Sequence, residues 1–126
     1  MIEFAASLYV LLSAGAIGFQ LALAGGAPWG HLANGGRFPG QLPPAMRVAA
    51  VVQAGVLAMF ALVLASKGGL IFPETKTVVE GLQWWVVGFC GLSLAANLAT
   101  PSLPERRLWA PVAGLMLASS LVVAGG

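Results

Sequence analysis

The chain has 126 residues, of which 59% are hydrophobic and only 8% are charged, and its formal net charge is +2. Typical soluble domains carry about 25% charged residues, so this composition excludes a domain that must cover its whole surface with polar groups. The few charges are scattered along the chain, which excludes a nucleic-acid binder with a clustered basic face.

Four apolar segments follow one another, and each has about the length of a transmembrane helix. A chain needs roughly 20 residues to cross a hydrocarbon core of about 30 Å. Helices are favoured over strands because a helix satisfies its own backbone hydrogen bonds in lipid. The sequence therefore predicts an all-α integral membrane four-helix bundle, a single domain over residues 1–126, with spans at about 2–24, 44–66, 75–99 and 104–124.

The first segment ends in a small-x-small pattern, Ala22 to Ala24, that also occurs at the cleavage sites of secretory signals. Its N-terminal side carries Glu3 and neither Lys nor Arg, which is the wrong charge for a signal peptide. We therefore expect the segment to be a genuine first span.

The connection between the first two spans, residues 25–43 (loop one), is long and rich in glycine and proline. Together with the first turn of the second span, it contains the only histidine, His31, and two of the four arginines, Arg37 and Arg47. This connection is the longest polar stretch of the chain. It is therefore the first place to look for binding chemistry.

Residues 100–103 (loop three) join the third and fourth spans. Ser102 is followed three residues later by Glu105, which is the spacing of a capping box, and proline is tolerated in a first helical turn. We predict that Ser102 caps the last helix and that Glu105 pairs locally with Arg106 or Arg107.

Four spans place loops one and three on one side of the membrane, and both termini and the second loop on the other. The four arginines belong to the first side, whereas Lys67 and Lys76 belong to the second. The positive-inside rule then predicts cytoplasmic loops one and three and external termini. At the other end, we expect Glu3 and Glu80 to form ion pairs with Lys67 and Lys76.

Nearly all the groups able to bind or react are predicted to collect at the end of the bundle that carries loops one and three. The candidates for ligand or lipid binding are Gln20, His31, Arg37, Arg47, Gln53, Asn97, Glu105, Arg106 and Arg107, with Trp29 and Trp109 as interfacial anchors. A simpler interpretation gives the three amides interhelical hydrogen bonds worth about 0.6 kcal/mol each. It makes the arginines headgroup anchors and His31 a solvated surface residue.

Motifs for enzymatic chemistry are missing from the sequence. It contains no HExxH, GxSxG or GxxxxGK pattern. One histidine and one cysteine, Cys90, are too few for a His/Cys metal site or a bis-histidine haem. We therefore predict no catalytic residue, no metal and no cofactor, and we expect Cys90 to be a small buried packing residue. A nucleophilic Thr100 or Ser102 would need His31 as its base.

The stretches GAPWGHLANGGRFPGQLPPAMR and NLATPSLPERRLWAP resemble a group of uncharacterised small four-span bacterial integral membrane proteins. The resemblance covers both loops and the flanking helix ends, and the spans match only in hydrophobicity. It implies a four-span fold in a bacterial inner (cell) membrane, but it implies no activity and no site residues.

The leading functional prediction is a non-enzymatic binding or accessory protein. Its loop-one and loop-three face would bind a partner protein, a lipid headgroup or an amphiphile, with arginines suited to phosphate groups. The expected partners are the lipid bilayer and a second copy of the chain or a membrane complex. An oligomeric small-solute transporter or channel is the first alternative, and a lipid-modifying membrane enzyme is the second.

Overall fold

The computed structural model of the chain describes residues 1–71 and 77–126. These residues form four long α-helices and no strand: α1 (Ile2–Ala24), α2 (Pro44–Lys67), α3 (Leu82–Ala99) and α4 (Leu103–Gly125). All four helices are long and apolar enough to cross a membrane. The predicted all-α four-helix membrane bundle is confirmed, and the chain has the helices of a multi-pass membrane protein.

The boundaries of α1, α2 and α4 follow the predicted spans closely, but α3 begins later than expected. The predicted start at residue 75 lies outside the described residues, and residues 77–81 form turns and a bend. Gly81 has a φ of +96°, and its backbone N–H donates to Gln83 Oε1 at 2.7 Å. Because a left-handed residue cannot continue a right-handed helix, α3 starts only after Gly81. The predicted span was too long because the apolar residues before Gly81 were counted as part of it.

The helices pack unevenly around the bundle. Helix α1 packs along both α2 and α4, and α3 packs along α4, whereas α2 and α3 share a much smaller contact. That contact includes the rings of Phe60 and Phe89, whose centroids lie 5.1 Å apart. At the start of α1, a Cβ on Gly68 would lie 2.5 Å from Ala6 Cβ, so glycine permits the close approach of α1 and α2.

The main hydrophobic core fills the half of the bundle nearer the termini. Its largest fully buried members include Tyr9, Leu64, Val86 and Val123. At the same end, Lys67 Nζ lies 3.6 Å from Glu80 Oε2, which confirms an expected ion pair. Lys76, the other predicted partner, lies outside the described residues.

Loop one folds back on itself over the other end of the bundle. It contains two short 3-10 turns, Gly30–Leu32 and Asn34–Gly36, and the Gly30 N–H donates to the Gly40 carbonyl at 2.8 Å. A Cβ on Gly30 would lie 1.7 Å from the Phe38 carbonyl oxygen, so only glycine fits there. This closed loop presents a compact surface to the helix ends.

A second, smaller core holds loop one on the bundle. It consists of Leu23, Ala33, Leu42 and Ala50, which come from α1, the loop and α2. Arg47 Nε donates to the Leu42 carbonyl oxygen at 2.9 Å and ties the end of the loop to α2. Apolar packing and one arginine therefore fix loop one at both of its ends.

Candidate functional site

A cavity of about 170 Å³ lies inside the bundle beneath loop one, with walls from all four helices and the loop. Its polar lining comprises Gln20, Asn34, Gln53, Ser93, Asn97 and Glu105. Its apolar lining includes Ala16, Phe19, Leu57, Phe89, Cys90, Trp109, Val112, Ala113 and Met116. Four of the polar residues were candidates from the sequence.

The lining changes character with depth. Asn97 and Glu105 lie within the last turn of α3 and the first turn of α4, next to the loops. Leu57 and Met116 lie thirteen residues into α2 and α4, which at about 1.5 Å per residue is roughly 20 Å along the helix axes. The lining is therefore mixed from the loop end to Gln53, nine residues into α2, and apolar beyond it, towards the middle of the bundle.

Glu105 faces the cavity and joins the two loops. Its side chain is buried, with 8% exposure, and the Oε1 atom accepts hydrogen bonds from the Thr100 hydroxyl and, at 3.2 Å, from the Gly35 N–H. The predicted pairing with Arg106 or Arg107 is wrong: within the described residues neither guanidinium forms an ion pair with Glu105, and Arg106 donates to the Thr100 carbonyl at 2.8 Å. Successive helical residues point about 100° apart, so the residues after Glu105 turn away from the cavity.

Ser102 makes the second connection between the loops. Its hydroxyl oxygen accepts from the Glu105 N–H at 3.3 Å, so the predicted helix cap is confirmed. The same hydroxyl donates to the backbone carbonyl of His31 at 2.7 Å. We call the five residues His31, Gly35, Thr100, Ser102 and Glu105 the inter-loop contact.

Within the described part of the chain, the three membrane amides form none of the interhelical bonds of the simpler interpretation. Asn97 Nδ2 donates to the carbonyl and hydroxyl oxygens of Ser93 on its own helix, at 2.7 and 3.4 Å. Gln20 and Gln53 line both this cavity and an adjacent hollow of about 310 Å³ between α1, loop one and α2. Both glutamines are half-buried, and the hydrogen bonds found within residues 1–71 and 77–126 do not involve their amides. Their polar atoms are therefore available to a ligand or to water.

Aromatic rings close the side of the site between α1 and α4. The Phe19 ring lies 6.2 Å from Trp29 in a nearly parallel arrangement and 4.8 Å from Trp109 in an edge-on one. Trp29 is 43% exposed, as an interfacial residue would be. Trp109 instead forms part of the cavity wall.

The cationic candidates lie outside the cavity. The His31 and Arg37 side chains are exposed on loop one, and His31 contributes only its carbonyl to the inter-loop contact. Arg47, Arg106 and Arg107 are likewise absent from the lining. The structure thus separates the sequence candidates into a carboxylate and amides around the cavity, and cations on its outer surface.

Sequence reasoning did not select Asn34, Ser93 or Cys90 as lining residues. The positions 90, 93 and 97 follow the i, i+3, i+7 spacing of one helix face, and 105, 109, 112 and 116 follow the equivalent i, i+4, i+7, i+11 spacing. This spacing could have found the walls of α3 and α4. Asn34 is in the left-handed region with a φ of +54°, and no spacing rule places such a loop residue.

Comparisons of the chain with protein-family models, with curated proteins and with solved structures each found no match. The geometry of the cavity is accordingly the basis for the function proposed below.

Proposed function

We propose that the protein is a membrane-embedded binding protein for a small amphiphile. The proposal rests on one observation: a single cavity has a carboxylate and amides at its loop end and apolar side chains towards the middle of the bundle. A ligand would place its polar group beside Asn97 and Glu105 and its hydrocarbon group between Leu57 and Met116. Ligand sites of this kind are mostly apolar, with a few polar groups that fix orientation.

The size of the cavity limits the ligand. An engineered apolar cavity of about 150 Å³ is large enough to bind benzene. The present cavity of about 170 Å³ therefore suits a hydrocarbon part of about six to eight carbons beside a small polar group. The adjacent hollow, which shares Gln20, Asn34 and Gln53, offers further room at the polar end.

The arginines support a separate contact with the lipid bilayer. Arg37 and Arg107 are exposed at the end that carries loops one and three, where guanidinium groups can reach anionic headgroups. We propose that this end faces the cytoplasm of a bacterial cell, with the termini outside, because it carries the larger share of basic residues.

Filling the cavity tests the proposed function. Ala113 is 5% exposed and lines the cavity, whereas Ala118 is exposed on the same helix. We expect Ala113→Leu to weaken binding of an octyl amphiphile to the protein in nanodiscs by at least about tenfold, and Ala118→Leu to leave it unchanged. Saturable binding that is equal in the wild-type protein and both variants, or no saturable binding, would contradict the proposal.

Transport is the second candidate, and one observation favours it. Beyond the cavity, the Tyr9 hydroxyl lies 3.7 Å from Cys90 Sγ, and the Ser13 and Ser120 side chains are buried in the same half of the bundle. Buried polar groups inside a membrane often mark a substrate path. Saturable flux of octylamine into proteoliposomes, abolished by Ala113→Leu, would establish transport; binding without flux would leave a binding protein.

The enzyme alternative finds less support in the geometry. The Ser102 hydroxyl donates to the backbone carbonyl of His31, and the imidazole itself is exposed. The Thr100 hydroxyl donates to Glu105. Each hydroxyl therefore donates to a group other than the His31 imidazole, which would have to act as its base. Binding is the better-supported function.

A further inference from the structure

The charged residue in the cavity lining indicates the chemical class of the ligand, in an inference that rests on the proposed binding function. We propose that the cavity takes a cationic amphiphile, a protonated amine with a short alkyl or aryl group. This differs from the sequence-based expectation of a phosphate headgroup held by arginines. The reason is that, of the described residues that line the cavity, Glu105 alone has a charged side chain.

Among the described residues, no arginine, lysine or histidine forms an ion pair with the Glu105 carboxylate. The ion pair found in the described part of the chain joins Lys67 and Glu80, at the opposite end of the bundle. Both protein hydrogen bonds to the Glu105 carboxylate go to Oε1, which leaves Oε2 for a ligand.

A buried charge without a counterion is energetically costly, and an ammonium group would supply the missing charge. The surrounding polar groups are suited to the same ligand. Because Asn97 uses its NH₂ group on Ser93, its carbonyl oxygen is left to accept from the cavity. The amides of Gln20 and Gln53 can also present their oxygens, and an ammonium group has three donors to offer.

The aromatic residues that line the cavity also favour a cationic ligand. Trp109 and Phe19 line the cavity beside this polar end, and aromatic faces attract ammonium groups. An anionic group would meet the Glu105 charge without any arginine, lysine or histidine among the lining residues. The cavity therefore selects against phosphate and carboxylate ligands.

A purely structural role for Glu105 in the inter-loop contact is the competing explanation. Glu105→Gln separates the two roles because a glutamine oxygen can still accept from Gly35 and Thr100, while the charge is lost. Glu3→Gln is the matched control, since Glu3 is an exposed carboxylate near the other end of the bundle.

The experiment measures equilibrium binding of octylammonium, 1-octanol and octyl phosphate to the protein in phosphatidylcholine nanodiscs, with empty nanodiscs subtracted. We expect octylammonium to bind at least about tenfold more tightly than 1-octanol and octyl phosphate to bind most weakly. Glu105→Gln should weaken octylammonium binding by at least about tenfold and leave 1-octanol within about twofold. Glu3→Gln should change neither.

Two results would overturn this inference while leaving amphiphile binding intact. The first is binding that Ala113→Leu abolishes but that shows no preference for the amine. The second is a Glu105→Gln variant that loses octylammonium and 1-octanol binding equally, since that indicates a structural effect only. If none of the three compounds shows binding sensitive to Ala113→Leu, the proposed function itself fails.

Discussion

Replacing Glu105 with alanine should release loop one from the helix ends. The substitution removes the acceptor for the Gly35 N–H and the Thr100 hydroxyl. The carboxylate is 8% exposed, so only water in the adjoining cavity could replace it as an acceptor. Each buried donor left without a partner costs about 1–3 kcal/mol, and the hydroxyl can rotate towards another acceptor. We therefore expect the inter-loop contact to lose about 2–4 kcal/mol.

Hydrogen exchange followed by mass spectrometry measures this loss directly, on peptides that cover residues 31–37 of the protein in nanodiscs. Since about 1.4 kcal/mol corresponds to a factor of ten, the Gly35 amide should exchange roughly 30- to 1,000-fold faster in Glu105→Ala. Glu105→Gln should show a much smaller increase, because it keeps an acceptor at the same place.

Arg107→Ala is the matched control for this experiment. Arg107 follows Glu105 on the same helix but is exposed, so its loss should leave exchange in loop one unchanged. Exchange at Gly35 within about threefold of wild type in Glu105→Ala would refute the reasoning, because the carboxylate would then not hold the loop.

Three further predictions concern the cap, the loop and the orientation. Ser102→Ala should lower the free energy of unfolding by about 1–2 kcal/mol, because it removes a helix cap and a hydrogen bond between the loops. An unchanged unfolding curve would contradict this role of Ser102. Gly30→Ala should strongly lower the melting temperature. Gly15→Ala should not, because its Cβ would meet no atom of another described element within 4 Å. Equal melting temperatures for the two variants would contradict the close packing of loop one at Gly30. Arg37→Cys in a Cys90→Ala background should react with an impermeant maleimide only in inside-out vesicles, and reaction only in intact cells would reverse the orientation.

The helices were predictable because the length of each apolar segment can be counted in the sequence. The bounds of α1 and α2 coincide with a change from apolar residues to glycine, proline or lysine, and the lipid environment makes that change decisive. The start of α3 was not predictable in the same way. Thr77, Val78 and Val79 are compatible with a span by hydropathy, but the left-handed conformation of Gly81 depends on local backbone geometry.

The depth of the site residues along the spans could be predicted from the sequence, but the direction in which each side chain points could not. Position along each span grouped Gln20, Gln53, Asn97 and Glu105 at one end, and the structure brings them to one cavity. Depth alone does not reveal which way a side chain points around its helix. Arg106 is adjacent to Glu105 in sequence but lies outside the cavity lining, because a helix turns about 100° at each residue.

Photocrosslinking tests most directly whether the cavity, and not the lipid-facing surface, binds the amphiphile. A diazirine analogue of octylamine, activated on the protein in nanodiscs, would be mapped by mass spectrometry. We predict adducts on cavity residues such as Leu57, Cys90 and Met116 that unlabelled octylamine suppresses and Ala113→Leu abolishes. Adducts confined to exposed apolar residues such as Trp85 and Leu92, unaffected by competitor, would contradict the account.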